Sequence, residues 1–249
     1  MEQLAAFFDL GFVAYAIIVG SFLAAVSNAA FSSGGAMIIL AVTSSVLPVW
    51  AVVPIHSTLL IGSTASRALV FREHVEWPIA GPFLVGSAIA VALASRLYFE
   101  LPETAIAIAI ATVMLVAIWR PAISWRPRVR HPWAVVGFIH SFLSTLFASC
   151  ALLHAVILHT GLERRQIVGT MAAALTGMSV FKILGYSLNG FDYRPFAATI
   201  ALSVLAAFAG TWVGKQVIDR ISEATFRFVF RALVTLTAIR LLYVTIANA

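Results

Sequence analysis

Asn28, Ser32, Ser33, Gly34 and Gly35 stand close together inside an apolar stretch that otherwise runs from Leu10 to Leu47. They interrupt what would read as one continuous helix. In hydrocarbon, an unwound backbone needs partners for its N–H and C=O groups. Such an interruption persists only where protein buries it or where it lines a polar cavity. Where a helix restarts after the break, its first free N–H groups and the positive end of its dipole suit an oxyanion. A second, weaker interruption, Ser149-Cys150-Ala151, occurs in the other half of the chain. Together they suggest non-covalent anion binding near the middle of a membrane, the kind of site that transporters build from broken helices. Close packing of helices through small residues is the competing reading at both breaks.

Further polar groups lie inside apolar segments. His56, Ser57, Thr58, Ser63, Thr64 and Ser66 crowd one segment, and Thr170, Thr176 and Ser179 crowd its counterpart in the second half. Hydroxyls donate to oxyanions without carrying a fixed charge, but they also hydrogen-bond between membrane helices. Ser57 and Thr170, which occupy matching places in the two halves, are the candidates here. His56 and Lys182 are ionisable groups within apolar segments and are therefore functional candidates, with snorkelling to the interface as the alternative for Lys182. His140 and His154 read first as packing residues. The only cysteine, Cys150, excludes an intrachain disulfide framework and a cysteine-based metal site. No metal or other cofactor is expected.

The positioning elements must be membrane helices. The 249 residues are 61% hydrophobic and only 10% charged, with a mean hydropathy of +1.00. Apolar runs recur along the whole length, and the short alternating segments of a β-barrel are missing. Ten apolar segments can be drawn: 10–28, 34–48, 51–70, 78–98 and 103–119, then 133–149, 151–160, 166–187, 195–214 and 223–246. Segments 34–48 and 151–160 fall short of the roughly 20 residues that a span requires, so each is expected to be half of a broken or re-entrant helix.

Basic residues set the orientation. The connection Trp119–Pro132 carries Arg120, Arg126, Arg128 and Arg130 and is placed in the cytoplasm. Counting spans outward puts Arg67, Arg72, Arg164, Arg165, Lys215, Arg220, Arg227 and Arg231 on the same side. Only Arg96, Arg194 and Arg240 fall outside, and both termini come out non-cytoplasmic. Met1–Asp9 has no basic residue, so no cleavable signal peptide is expected. The net charge of +6 reflects this topology and is not a nucleic-acid footprint. All ten acidic residues fall in or beside loops, which argues against a cation site inside the membrane and for an anion.

The two halves align. Glu103 and Arg120 fall opposite Glu223 and Arg240 at one constant offset, which also sets Ser21-Phe22-Leu23 opposite Ser141-Phe142-Leu143. Val75-Glu76-Trp77 faces Phe191-Asp192-Tyr193. Five segments per half is an odd number, so the second half must run through the membrane upside down. The expected fold is thus an all-α integral membrane protein of two inverted-topology repeats, residues 1–120 and 133–249, joined by a cytoplasmic loop at 121–132.

This order of features resembles the TauE/SafE family of sulfite exporters, also called sulfonate uptake permeases. Phe71-Arg72-Glu73-His74-Val75-Glu76-Trp77 is similar to the family's R-x-G-H-V-D-W, and Val168-Gly169-Thr170 to its A-V-G-T-S. The resemblance covers nearly the whole chain. One departure is a family glycine run that is here Ala30-Phe31-Ser32-Ser33-Gly34-Gly35, with Ala148–Leu152 in the second half. The resemblance implies a permease or exporter for small sulfur-containing anions such as sulfite, sulfoacetate or other organosulfonates, in a bacterial cell membrane. An anion channel and, less well supported, an intramembrane enzyme are the alternatives. No His-Glu-x-x-His or Gly-x-Ser-x-Gly occurs, and His56 and Ser57 sit about 100° apart on a helix, which suits a nucleophile and its base badly. The expected partners are a small anionic substrate and membrane lipid. Nucleic acid is not among them, and a homo-oligomer is left open.

Overall fold

The computed structural model describes residues 11–31, 34–119, 132–148, 150, 152–217 and 223–247. Within them the chain is all helix, and the ten expected segments become ten α-helices. These are α1 (Phe12–Phe31), α2 (Gly35–Val46), α3 (Val49–Val70), α4 (Trp77–Glu100), α5 (Glu103–Trp119), α6 (Pro132–Phe147), α7 (Leu152–Ile157), α8 (Arg164–Leu188), α9 (Ala197–Val217) and α10 (Glu223–Ala247). Single 3-10 turns at Arg72–His74 and Arg194–Phe196 lead into α4 and α9. Helices α3, α4 and α8 and the stretch Arg194–Gly214 are long and apolar enough to cross a membrane.

Local signals explain the boundaries. Pro48 precedes α3, and Pro78 occupies the first turn of α4, where its missing N–H costs nothing. Glu163 and Gln166 form a reciprocal capping box at the start of α8. Pro54 lies inside α3 and cannot donate to the carbonyl of Trp50. The Tyr98 hydroxyl on α4 supplies the missing donor, reaching Trp50 O at 3.2 Å and Val49 O at 2.9 Å. Without lipid-side water to help, that repair has to come from protein.

The outer faces are apolar. Val85, Ile89 and Leu93 line one exposed edge of α4, and Leu205, Phe208 and Trp212 one edge of α9. The buried side of the bundle is knitted by small residues. Gly86 and Gly137 let α4 and α6 touch backbone to backbone: an added Cβ would stand 2.0 Å from Ala134 O and 2.1 Å from Phe83 O, respectively. Ser141 donates to Ser87 at 2.7 Å in the same interface. Helices α1 and α9 cross as closely, with Gly210 against the carbonyl of Phe22.

The two short segments do not span. Helix α2 runs back alongside α1: Gly35 N donates to Asn28 Oδ1 at 3.0 Å, and further along Gly20 sits against Val42. Helix α7 turns back against α6, with Leu153 N donating to His140 Nδ1 at 3.2 Å. At 1.5 Å per residue, α2 is about 18 Å long and α7 about 9 Å, against an apolar core of roughly 30 Å. Each interruption read from the sequence is therefore the tip of a helical hairpin.

Candidate functional site: two hairpin tips and a buried lysine

At the first tip, Gly34 adopts a left-handed conformation (φ 92°), which a side chain would strain. Gly35 opens α2 and leaves no room for a Cβ, which would lie 2.3 Å from Asn28 Nδ2 and 2.5 Å from Ala24 O. Half-buried Asn28 accepts the Gly35 N–H and so ties the restart of the helix to α1. His56, fully buried on α3, lies within 3.0 Å of Ala36 O through Nε2. A carbonyl only accepts, so Nε2 carries the hydrogen and Nδ1 presents a lone pair. That Nδ1 is buried and meets no partner among the described residues.

At the second tip the chain leaves α6 through Ala148, whose φ of 66° is the sole left-handed non-glycine conformation among the described residues. The last carbonyls of α6 thereby lose their intrahelical partners. Helix α8 supplies new ones. Lys182 Nζ donates to Ser144 O at 2.8 Å, and the Tyr186 hydroxyl donates to Thr145 O. Met178, one turn before Lys182, receives the Ser144 hydroxyl at 3.5 Å. The negative end of the α6 dipole helps to hold the ammonium there. Lys182 is 2% exposed and is the one formally charged side chain in the buried set of the described residues.

The tips belong to one core. Ala24 and Ile38 of the first hairpin share a buried cluster with Leu146 and Ala148 of the second. Helix α8, which carries Lys182, packs against α3, which carries His56. Cys150 is a free, half-buried thiol directly after the second tip. Asn28, Gly35, His56 and Lys182 thus come from four helices, with Gly34 and Cys150 in the two connections between helices.

The remaining expected site residues divide. Ser32, Ser33 and Ser149 lie outside the described residues. Ser57 is buried and donates to Val53 O of its own helix at 2.8 Å. Thr170 is not brought to the tips. It lies twelve residues before Lys182 on α8, about 18 Å along the axis. There it accepts the backbone N–H of Glu76 at 2.9 Å, while Gln166 Nε2 donates to Glu76 Oε1 at 2.6 Å. Gly169 packs against Phe71 O. The two motifs Phe71–Trp77 and Val168–Thr170 therefore bind each other and form a loop–helix joint. Snorkelling is likewise not what Lys182 does, because its ammonium is inside the protein.

Ser144 and Tyr186 were missed by the sequence reading. Tyr186 was findable: Met178, Lys182 and Tyr186 are spaced by one turn on α8, which puts them on one face of the helix. A groove of about 270 Å³ between α1, α2 and α10 is lined by residues such as Val19, Leu23, Val42 and Leu233. It is apolar and contains none of the candidate residues, so the chemistry rests on the tips.

No curated protein and no solved structure matches the chain. Residues 17–241 match the family model described as sulfite exporter TauE/SafE. With a buried lysine capping one of two interrupted helices inside an apolar bundle, that match places the chain in the TauE/SafE family of membrane sulfite and sulfur-anion transporters.

Proposed function

We propose that this protein is a secondary transporter for a small sulfur-containing anion, such as sulfite, sulfoacetate or another organosulfonate. The carrying observation is Lys182, a buried ammonium held at the end of interrupted α6, whose Leu146 shares a core with Ile38 of α2. Burying an unpaired charge is costly. The ammonium has three N–H groups, and the bond to Ser144 O uses one of them. An oxyanion is the natural partner for the rest. The backbone N–H groups at the start of α2 and the thiol of Cys150 add donors with no fixed charge.

The transport mechanism we infer is alternating access between two inverted repeats, residues 1–120 and 133–249. Packing supports it. Exchanging the halves carries α1 against α9 onto α6 against α4, and α3 against α9 onto α8 against α4. It carries the hairpin α1–α2 onto α6–α7, while α3–α8 and α5–α10 map onto themselves. In this reading the two hairpins enter the membrane from opposite sides and meet at the substrate. The loop at 121–132 is cytoplasmic and both termini lie outside, in a bacterial cell membrane, as the basic residues suggest.

The test is thermal stabilisation of the detergent-purified protein by sulfite, thiosulfate, sulfoacetate, methanesulfonate, acetate and chloride. A ligand that prefers the folded state raises its stability in step with log concentration. Stabilisation by a sulfur anion but not by acetate or chloride is expected. Equal responses to all six, or none, would sink the proposed substrate class. Saturable counterflow in liposomes then separates a carrier from a channel.

A further inference from the structure

The two hairpin tips each hold a histidine, and the two rings are wired oppositely. His140 accepts the Leu153 N–H at Nδ1, so a proton can reach that nitrogen only if the bond breaks. His56 spends its Nε2 hydrogen on Ala36 O and leaves Nδ1 bare, buried and without a partner among the described residues. An unpaired buried acceptor is costly and calls for a reason.

We propose that His56 Nδ1 is the proton-binding site of the carrier, loaded together with the anion. This rests on the anion reading of the Lys182 site and adds its driving ion. The step is simple: a solvent proton adds to the Nδ1 lone pair, the new N–H donates to the bound anion, and both leave on the other side. No covalent bond to substrate forms. Lys182 makes the two events interdependent. Beside the empty site, its positive charge opposes a second cation on His56. With an anion between them, both cations are favoured. Proton and anion affinity are then linked, and the linkage is reciprocal.

The surrounding groups are few. The elements packed against α3 bring Lys182, Tyr186 and Arg165 from α8, His140 from α6, Glu103 from α5 and Tyr98 from α4, whose hydroxyl is committed to Val49 O and Trp50 O. Helix α2 and the described side chains of α9 bring none, and α3 itself adds Arg67 near its far end, where Nε is committed to Ser63 O. Cys150 follows the second tip. Tyr186 is occupied at Thr145 O and His140 at Leu153 N. Of the two histidines at the tips, His56 alone keeps an open lone pair, on a helix that packs against the one carrying Lys182.

The experiment is calorimetric titration with thiosulfate and with methanesulfonate, both of fixed charge across the neutral range, in two buffers that differ in ionisation enthalpy. The wild-type protein is expected to take up about one proton per bound anion, and its Kd to rise about tenfold per pH unit over the linked range. His56→Gln keeps a donor for Ala36 O but cannot titrate. It should bind with no proton uptake and no pH slope. Wild-type binding without proton uptake would overturn the proposal while leaving the anion site intact. Uptake that persists in His56→Gln would place the proton elsewhere and also overturn it. If neither anion binds the wild type, the anion reading itself fails and this inference with it. The wild-type pH slope stands alone should the variant fold poorly.

Discussion

The two hairpin tips do the same architectural job with different chemistry. The first closes on glycine: Gly34 takes the left-handed turn, Gly35 admits the close approach of α1, and neutral Asn28 receives the freed N–H. The second closes on a strained alanine and is held by α8, with Lys182 and Tyr186 capping the end of α6 and His140 capping the start of α7. One half therefore offers backbone donors and the other a charge. Two helical hairpins in one chain need not share a binding chemistry, and in the proposed site a small anion would meet a single cation.

This contrast can be broken or sharpened by substitution. The largest effect belongs to the charged tip. Lys182→Gln retains a donor for Ser144 O but removes the charge, and anion-dependent stabilisation should be lost, a drop in affinity of about a hundredfold or more. Retention of the wild-type thermal shift would show that the lysine is only a helix cap. Next is the glycine tip. Gly35→Ala forces a methyl against Ala24 O and should destabilise the fold by about 1–3 kcal/mol in thermal unfolding. An unchanged melting temperature would mean that the hairpin opens easily. Tyr98→Phe strands the carbonyl that Pro54 leaves free and should cost about 1 kcal/mol. Its anion response should stay intact, since that repair lies outside the tips. The smallest effect has the opposite sign. Ala148→Gly relieves a left-handed alanine and should stabilise by up to about 1 kcal/mol, whereas a loss would argue that the alanine methyl packs more than it strains.

Much of this architecture was legible in the sequence because membrane helices must be continuous and apolar. All ten segments emerged, and the shortness of 34–48 and 151–160 pointed to broken or re-entrant helices without deciding whether they span. The glycines at Gly34 and Gly35 marked the first turn plainly. The second turn was faint, since Ala148 carries no turn signal and the Ser144 carbonyl before it finds its partner, Lys182, 38 residues away in sequence. Lys182 could be read either as a site residue or as an interfacial lysine until its partner on α6 was visible. Ser57 and Thr170 matched in alignment because both halves place hydroxyls on the third helix. Matching position did not mean matching role: one bonds within its own helix, and the other holds a loop. Periodicity reports the face of a helix. It does not report which distant carbonyl has lost its partner.

The most direct test of the account is counterflow of labelled sulfite in liposomes that contain either the wild-type protein or Lys182→Gln, each checked for folding. The account predicts saturable exchange, accelerated by sulfite on the far side, with the wild type, and its loss with the variant. Equal exchange by both proteins would contradict a site built on the buried lysine.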